Sequence, residues 1–269
     1  MADNITPFAS RGMGAKSLGY LRLYIILLLI FGCALTVEAK RPLELNIGRG
    51  EAYVNHLEGT AQLLRKADGA TLPLRVGEIL RTGDEITVGS GKSRLEVVLS
   101  DRSLVRFADN TRLRIAQLEP DKDGSRINVD INMMVGRSFA NISRAVGKTN
   151  FNMTSENAVA GVRGTVYRMN VEQDKSVLVR VYEGQVQVSG GVKALETPRV
   201  VGPPERIAGP QPIPGPTRVS MEEWVYIVRE MQQIRIRSDG SSEVPVSFTK
   251  QEDLDEWVIW NRERDKLTD

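Results

Sequence analysis

The chain has 269 residues, 41% of them hydrophobic and 26% charged, a globular composition long enough for one large domain or two small ones. Its 36 basic and 34 acidic residues nearly cancel to a formal net charge of +2, which removes the electrostatic reason to expect a nucleic-acid partner. A single cysteine, Cys33, excludes an intramolecular disulfide, and a single histidine, His56, leaves few general-base, activated-nucleophile or zinc chemistries open. No enzyme and no cofactor are expected.

Residues 1–39 read as an address. Arg11, Lys16 and Arg22 approach an apolar run of 15 residues from Leu23 to Val37, short for a spanning helix and sufficient for a signal-peptide core. Val37-Glu38-Ala39 places cleavage after Ala39, giving a periplasmic chain; a retained segment, anchoring the protein in the inner membrane with its body outside, is the alternative. Cys33 follows the bulky Phe31, which argues against a lipidation site.

From about Leu43 to Gly190 the hydrophobic period is two. Arg94–Leu99, Leu104–Phe107, Leu113–Ile115, Ile127–Ile131, Val166–Val171 and Val177–Val181 read as short strands separated by turns such as Asp68-Gly69, Gly83-Asp84 and Asp109-Asn110. This predicts a mainly β domain over 43–190: an antiparallel sandwich or barrel, or a short β-solenoid. Asp121-Lys122-Asp123-Gly124-Ser125 lacks the distal ligands of a calcium loop and reads as a hairpin turn. His56, in a predicted strand with no second His or Cys nearby, reads as a surface or half-buried residue.

Three stretches in order carry a resemblance. Gly77 to Ile86 holds Gly83-Asp84 before a strand, Ala158 to Tyr167 holds Val162-Arg163-Gly164-Thr165, and Val181 to Val188 holds Glu183-Gly184 between strands. Together they resemble the FecR domain family over about 110 residues, from Gly77 to Val188. The resemblance implies an extracytoplasmic β domain in which Gly83, Asp84, Arg163, Gly164, Thr165, Glu183 and Gly184 hold the fold. Gly164 is expected to permit a special backbone conformation, and Arg163 to fork onto a carboxylate or onto carbonyls at a strand end. Asp101-Arg102-Ser103 replaces the family's usual Asp-Gly-Ser, so that turn is expected to need no positive φ.

Residues 191–219 form a Pro/Gly-rich linker, with seven of the 12 prolines between Pro198 and Pro216. Residues 220–269 are expected as two short capped helices with a β excursion between them. The capping signatures are Ser220-Met221-Glu222-Glu223 and Thr249-Lys250-Gln251-Glu252. Trp260 lies off the Leu254/Trp257/Val258 stripe and is the candidate contact residue, toward the β domain, a partner or a glycan.

The expected function is a non-catalytic binding, sensing or scaffold module in the cell envelope whose partner is another envelope protein. Two alternatives stand beside it. One is a FecR-type transmembrane regulator acting on a sigma factor, disfavoured by the roughly 22 residues ahead of the apolar run, too few to fold alone. The other is a protein that attaches to cell-wall glycan.

Overall fold

Alternation of apolar and polar residues from Ala52 onward builds one 17-stranded sheet, folded over so that two layers face each other. The computed structural model describes residues 50–124, 126–143, 149–191 and 224–267. The apolar run, Cys33, the cleavage site, the proline segment and Ser220–Glu223 lie outside these residues.

The first layer runs, neighbour to neighbour, through β4 (Ile79–Leu80), β1 (Ala52–Glu58), β6 (Arg94–Leu99), β7 (Leu104–Phe107) and the end of β9 (Ile127–Asn141). It continues through β12 (Val166–Val171), β13 (Val177–Glu183), β16 (Gln232–Ile236) and β17 (Val246–Ser247). The second layer runs through β3 (Thr71–Pro73), β2 (Ala61–Leu64), β5 (Glu85–Val88), β8 (Arg112–Pro120) and the start of β9. It ends on β10 (Thr149–Thr154), β11 (Ala158–Val162), β14 (Gln185–Gly190) and β15 (Val225–Arg229).

The fold is therefore mainly β, as expected, and of the sandwich kind. All pairings are antiparallel except β9 with β10, where Ile127–Asn132 run parallel to Thr149–Thr154. Parallel neighbours need a longer connection than a hairpin, so the alternation in the sequence could not announce this pair.

β9 joins the layers. Its first residues pair with β8 and β10, and Gly136 to Asn141 pair with β7 and β12. Gly136 is the pivot, with φ +115° and no room for a side chain: a Cβ would sit 2.5 Å from the Thr111 Cα. The inner faces share one apolar core. Leu80, Val97 and Phe107 of the first layer meet Ile86, Leu113 and Ile131 of the second, all buried.

The C-terminal segment differs from expectation. Val225–Arg229 is a strand, not a helix, and pairs with β14; β16 then pairs with β13, so this region extends both layers instead of forming a separate helical unit. The run Val225-Tyr226-Ile227-Val228 explains the outcome, because β-branched and aromatic side chains fit a pleated edge better than a helix. The second expected helix exists as α1 (Glu256–Asp265), capped by Asp255, whose side chain accepts a hydrogen bond from the Val258 N–H. Thr249 and Glu252 do make the reciprocal bonds of a capping box, but around a turn that ends before the helix begins.

Candidate functional site

Successive strands change layer at tight corners, and the motif residues occupy these corners. Gly83-Asp84 lies between β4 and β5. Gly83 has φ +92°, and the Asp84 carboxylate, 2% exposed, accepts from the Lys66 and Arg81 backbone N–H groups and from Arg65 Nη1, each at 3.1 Å. Arg163-Gly164-Thr165 lies between β11 and β12, and Glu183-Gly184 between β13 and β14. These two corners pack on each other: Gly164 has φ +62°, Gly184 has φ +81°, and a Cβ on Gly184 would meet Thr165 Cγ2 at 3.0 Å. Buried Thr165 accepts the Ile142 N–H at 2.9 Å, tying the corner to the end of β9. Arg163 and Glu183 are exposed. The motif residues thus lie at strand corners and do not converge on one cavity.

The hairpin joining β6 to β7 contradicts one expectation. Arg102 adopts φ +68°. Asp101 pins the turn by accepting from both the N–H and the hydroxyl of Ser103 at 2.9 Å, and these bonds hold Arg102 in the left-handed region. Asp121 to Gly124 forms the hairpin turn expected there, with the Gly124 N–H donating to the Asp121 carbonyl at 3.0 Å.

Polar side chains converge elsewhere, on the outer face of the first layer. Strand register aligns His56, Glu96, Arg106, Phe139, Arg168, Arg180 and Gln233 in one row across β1, β6, β7, β9, β12, β13 and β16. A bulge between Val54 and His56 turns Asn55 to the same face, where it donates to Glu96. An exposed sheet face would leave such a row in water. Here Glu96 and Arg106 are fully buried and Arg168 is 4% exposed.

The cover is residues 248–265. Asp253, 3% exposed, ion-pairs with both Arg168 and Arg180 and accepts the Tyr182 hydroxyl. Asp255 adds Arg168 at 3.3 Å, and Glu256 adds Lys92 at 3.0 Å and Arg94 at 2.9 Å. Further along α1, Asp265 and the Asn261 carbonyl hold Arg106 at 2.6 and 3.2 Å, while Arg264 bonds both Glu96 oxygens at 3.2 and 3.0 Å. Burial works to raise the Glu96 pKa, but hydrogen bonds from Arg264, Arg106 and Asn55 outweigh it and hold the carboxyl at about 2. Burial, with the bond to Asp253 adding to it, pushes the Tyr182 hydroxyl well above its ordinary range.

The apolar part of the contact is small. Phe248 meets Tyr182 edge-on at 5.8 Å, Tyr182 stacks on Phe139 at 5.4 Å, and Trp257 completes the cluster. Trp260 stacks on Trp257 at 5.4 Å, lies under the Arg94 guanidinium at 5.1 Å and donates to Glu58 at 3.2 Å. Its contact is with the β domain. His56 is half-buried, 6.1 Å from the Trp260 ring and 3.1 Å from Glu58. Among the described residues, no group of three or more His, Cys, Asp and Glu side chains has the arrangement of a metal site.

Comparison with known proteins bears on the strands beneath this cover. Residues 84–187 match the model of the family described as FecR protein. That stretch, less than half of the chain, is similar to a FecR domain. No curated protein matches the sequence. Two crystal structures of a candidate anti-sigma factor from Parabacteroides distasonis align with it at 21% identity and a TM-score of 0.42. The aligned part covers 62% of this chain and 61% of theirs, so it spans less than two thirds of those proteins. Within the FecR domain fall Glu96, Arg106, Phe139, Arg168 and Arg180 of the row; the cover, 248–265, lies beyond it.

The row and its anion Asp253 are not among the residues expected from the sequence. A signal for the row was present. Glu96, Arg106 and Arg168 are charged residues at the outward phase of strands whose other phase is apolar. What the sequence lacked was the pairing register that brings them together.

Proposed function

We propose that this chain is a non-catalytic signalling regulator of the FecR type. In this reading the β body stands outside the cytoplasmic membrane and engages another envelope protein. The apolar run Leu23–Val37 is retained as the membrane element through which the bound state is passed on, ultimately to a sigma factor. The observation that carries the reading is the FecR match over 84–187. The motif residues within it sit at strand corners, which supports a reading in which recognition falls on side-chain surfaces. A cleft of about 490 Å³ at the β9 pivot mixes both charge signs; its Arg137 is already paired with Asp109 at 3.1 Å. Trp260 is engaged by Trp257, Arg94 and Glu58 of this chain, which does not favour the glycan-binding alternative.

The test is to replace residues 1–39 by an unrelated cleavable signal peptide in cells lacking the native gene. A regulator needs its own membrane segment, so the swapped protein should be exported at normal levels and fail to restore signalling. Full complementation would instead return the freely exported binding module as the better account.

A further inference from the structure

We propose that the outer face of the first layer is a binding face for an acidic, tryptophan-bearing helical segment of a partner protein, and that residues 248–265 occupy that face in cis as a displaceable cover. This deepens the signalling reading and rests on it, by naming the surface through which the partner is engaged.

The face is built for anions at one end. Arg168 and Arg180 lie directly opposite each other on β12 and β13, a like-charge pairing that destabilises a sheet unless an anion sits between them. Asp253 is that anion, and Asp255 and Glu256 extend the negative charge toward Arg168, Lys92 and Arg94. The segment Glu252-Asp253-Leu254-Asp255-Glu256-Trp257 is the pattern the face recognises: carboxylates entering a helix, then an indole. The anions stand at and before the helix N-terminus, where the helix dipole favours them.

The hold is separable from the core. Within α1 only Trp257, Val258 and Asn261 are buried, and the helix contributes no apolar side chain to the large core between the layers. Most of its remaining contacts are ion pairs and hydrogen bonds. They are also incomplete: Arg106 Nη2, Arg168 Nε and Trp257 Nε1 are buried without a hydrogen-bond partner among the described residues. A cleft of about 270 Å³ remains at the start of α1, lined by Lys92, Arg94, Arg137 and Trp257 among others. A cover held this way opens at lower cost than the sheets. A partner segment that satisfies the same cations then competes with a tethered one, and its apparent affinity falls in proportion to the fraction of molecules with the face closed.

The probe is a fluorescent synthetic peptide of residues 249–267, with the same peptide carrying Asp253→Ala as control. It is titrated against the full chain and against the full chain bearing Asp253→Ala and Trp257→Ala together, with hydrogen exchange read on both. The expected result is that the variant keeps slow exchange in β9 and β12 and loses protection in α1. It should bind the native peptide at least tenfold more tightly than the unsubstituted chain does, and bind the control peptide at least tenfold more weakly than the native one. Two results overturn the proposal: α1 released without a gain in peptide binding, or a variant whose sheets unfold together with the helix, which would make the segment part of the core. Either leaves the signalling reading standing, because that reading depends on the swap of residues 1–39. Conversely, a complementing swap leaves the peptide result untouched.

Discussion

Arg168 stands directly opposite Arg180 across β12 and β13, both on the outer face of the first layer and both held by one carboxylate from the C-terminal segment. Two guanidinium groups on adjacent strands repel each other, and burial strengthens the repulsion. The cover is thereby the source of the charge balance of the face it hides.

Asp253→Ala removes that balance. Breaking a buried pair by deleting one partner costs about 3–5 kcal/mol when the remaining charge stays buried. Here the two arginines regain water if α1 lifts, so the loss should fall on docking. Exchange of the α1 amides should rise by about two orders of magnitude, with 1.4 kcal/mol per tenfold. Adding Arg168→Met should recover part of the loss, and native-state hydrogen exchange on the single and double variants measures both.

Glu96 gives the acid limb its shape. Its carboxyl is held at about 2 in the folded chain, below an ordinary value of 4.5. A depressed carboxyl contributes stability that is fully present above the unfolded pKa and is lost as pH falls through the folded one. The contribution is about 3 kcal/mol, disappearing between about pH 4.5 and pH 2. Glu96→Gln should lower stability at pH 7 by a comparable amount and flatten the stability profile across that window. Urea unfolding at a series of pH values resolves the two curves.

The corners should be intolerant of side chains. Gly136→Ala places a Cβ 2.5 Å from the Thr111 Cα at a φ of +115°, a backbone collision no rotamer relieves. A loss of at least about 3 kcal/mol is expected. Gly164→Val puts a β-branched residue at φ +62° and should cost more than about 2 kcal/mol. Chemical denaturation midpoints test both, and a silent substitution at either would show that the corner relaxes.

Arg102→Gly should act in the opposite direction. The residue carries φ +68° without being glycine, a strain of about 1 kcal/mol. Part of the gain is offset by the greater freedom of glycine in the unfolded chain. The net expectation is a stabilisation of up to about 1 kcal/mol, visible as a raised melting temperature with binding unchanged.

These positions mark what the sequence could reveal. Arg94–Leu99, Leu104–Phe107 and Val166–Val171 are strands with the bounds their alternation suggested, because a period of two is a local property. Gly164 and Gly184 were legible as special because glycine at a corner is a local requirement. Val225–Arg229 was misread because a capping signature upstream was weighed above the β preference of the run itself, and the edge of β14 decided the matter. Glu96 meets Arg106, and Arg168 meets Arg180, within hairpins, but the two pairs come into one row only through Phe139 of β9, a register between strands far apart in the chain. The anion of the row lies 85 residues beyond Arg168, at a distance no sequence spacing predicts.

As a displaceable cover, α1 has a stability of its own, and the strands beneath it stand without it. Native-state hydrogen exchange of the unsubstituted full chain across low denaturant tests this most directly. The amides of Trp260 to Asp265 should exchange through a local opening of distinctly lower free energy than those of β9 and β12, insensitive to denaturant. Opening of α1 at the same free energy and the same denaturant dependence as the sheets would show one cooperative unit, and would contradict it.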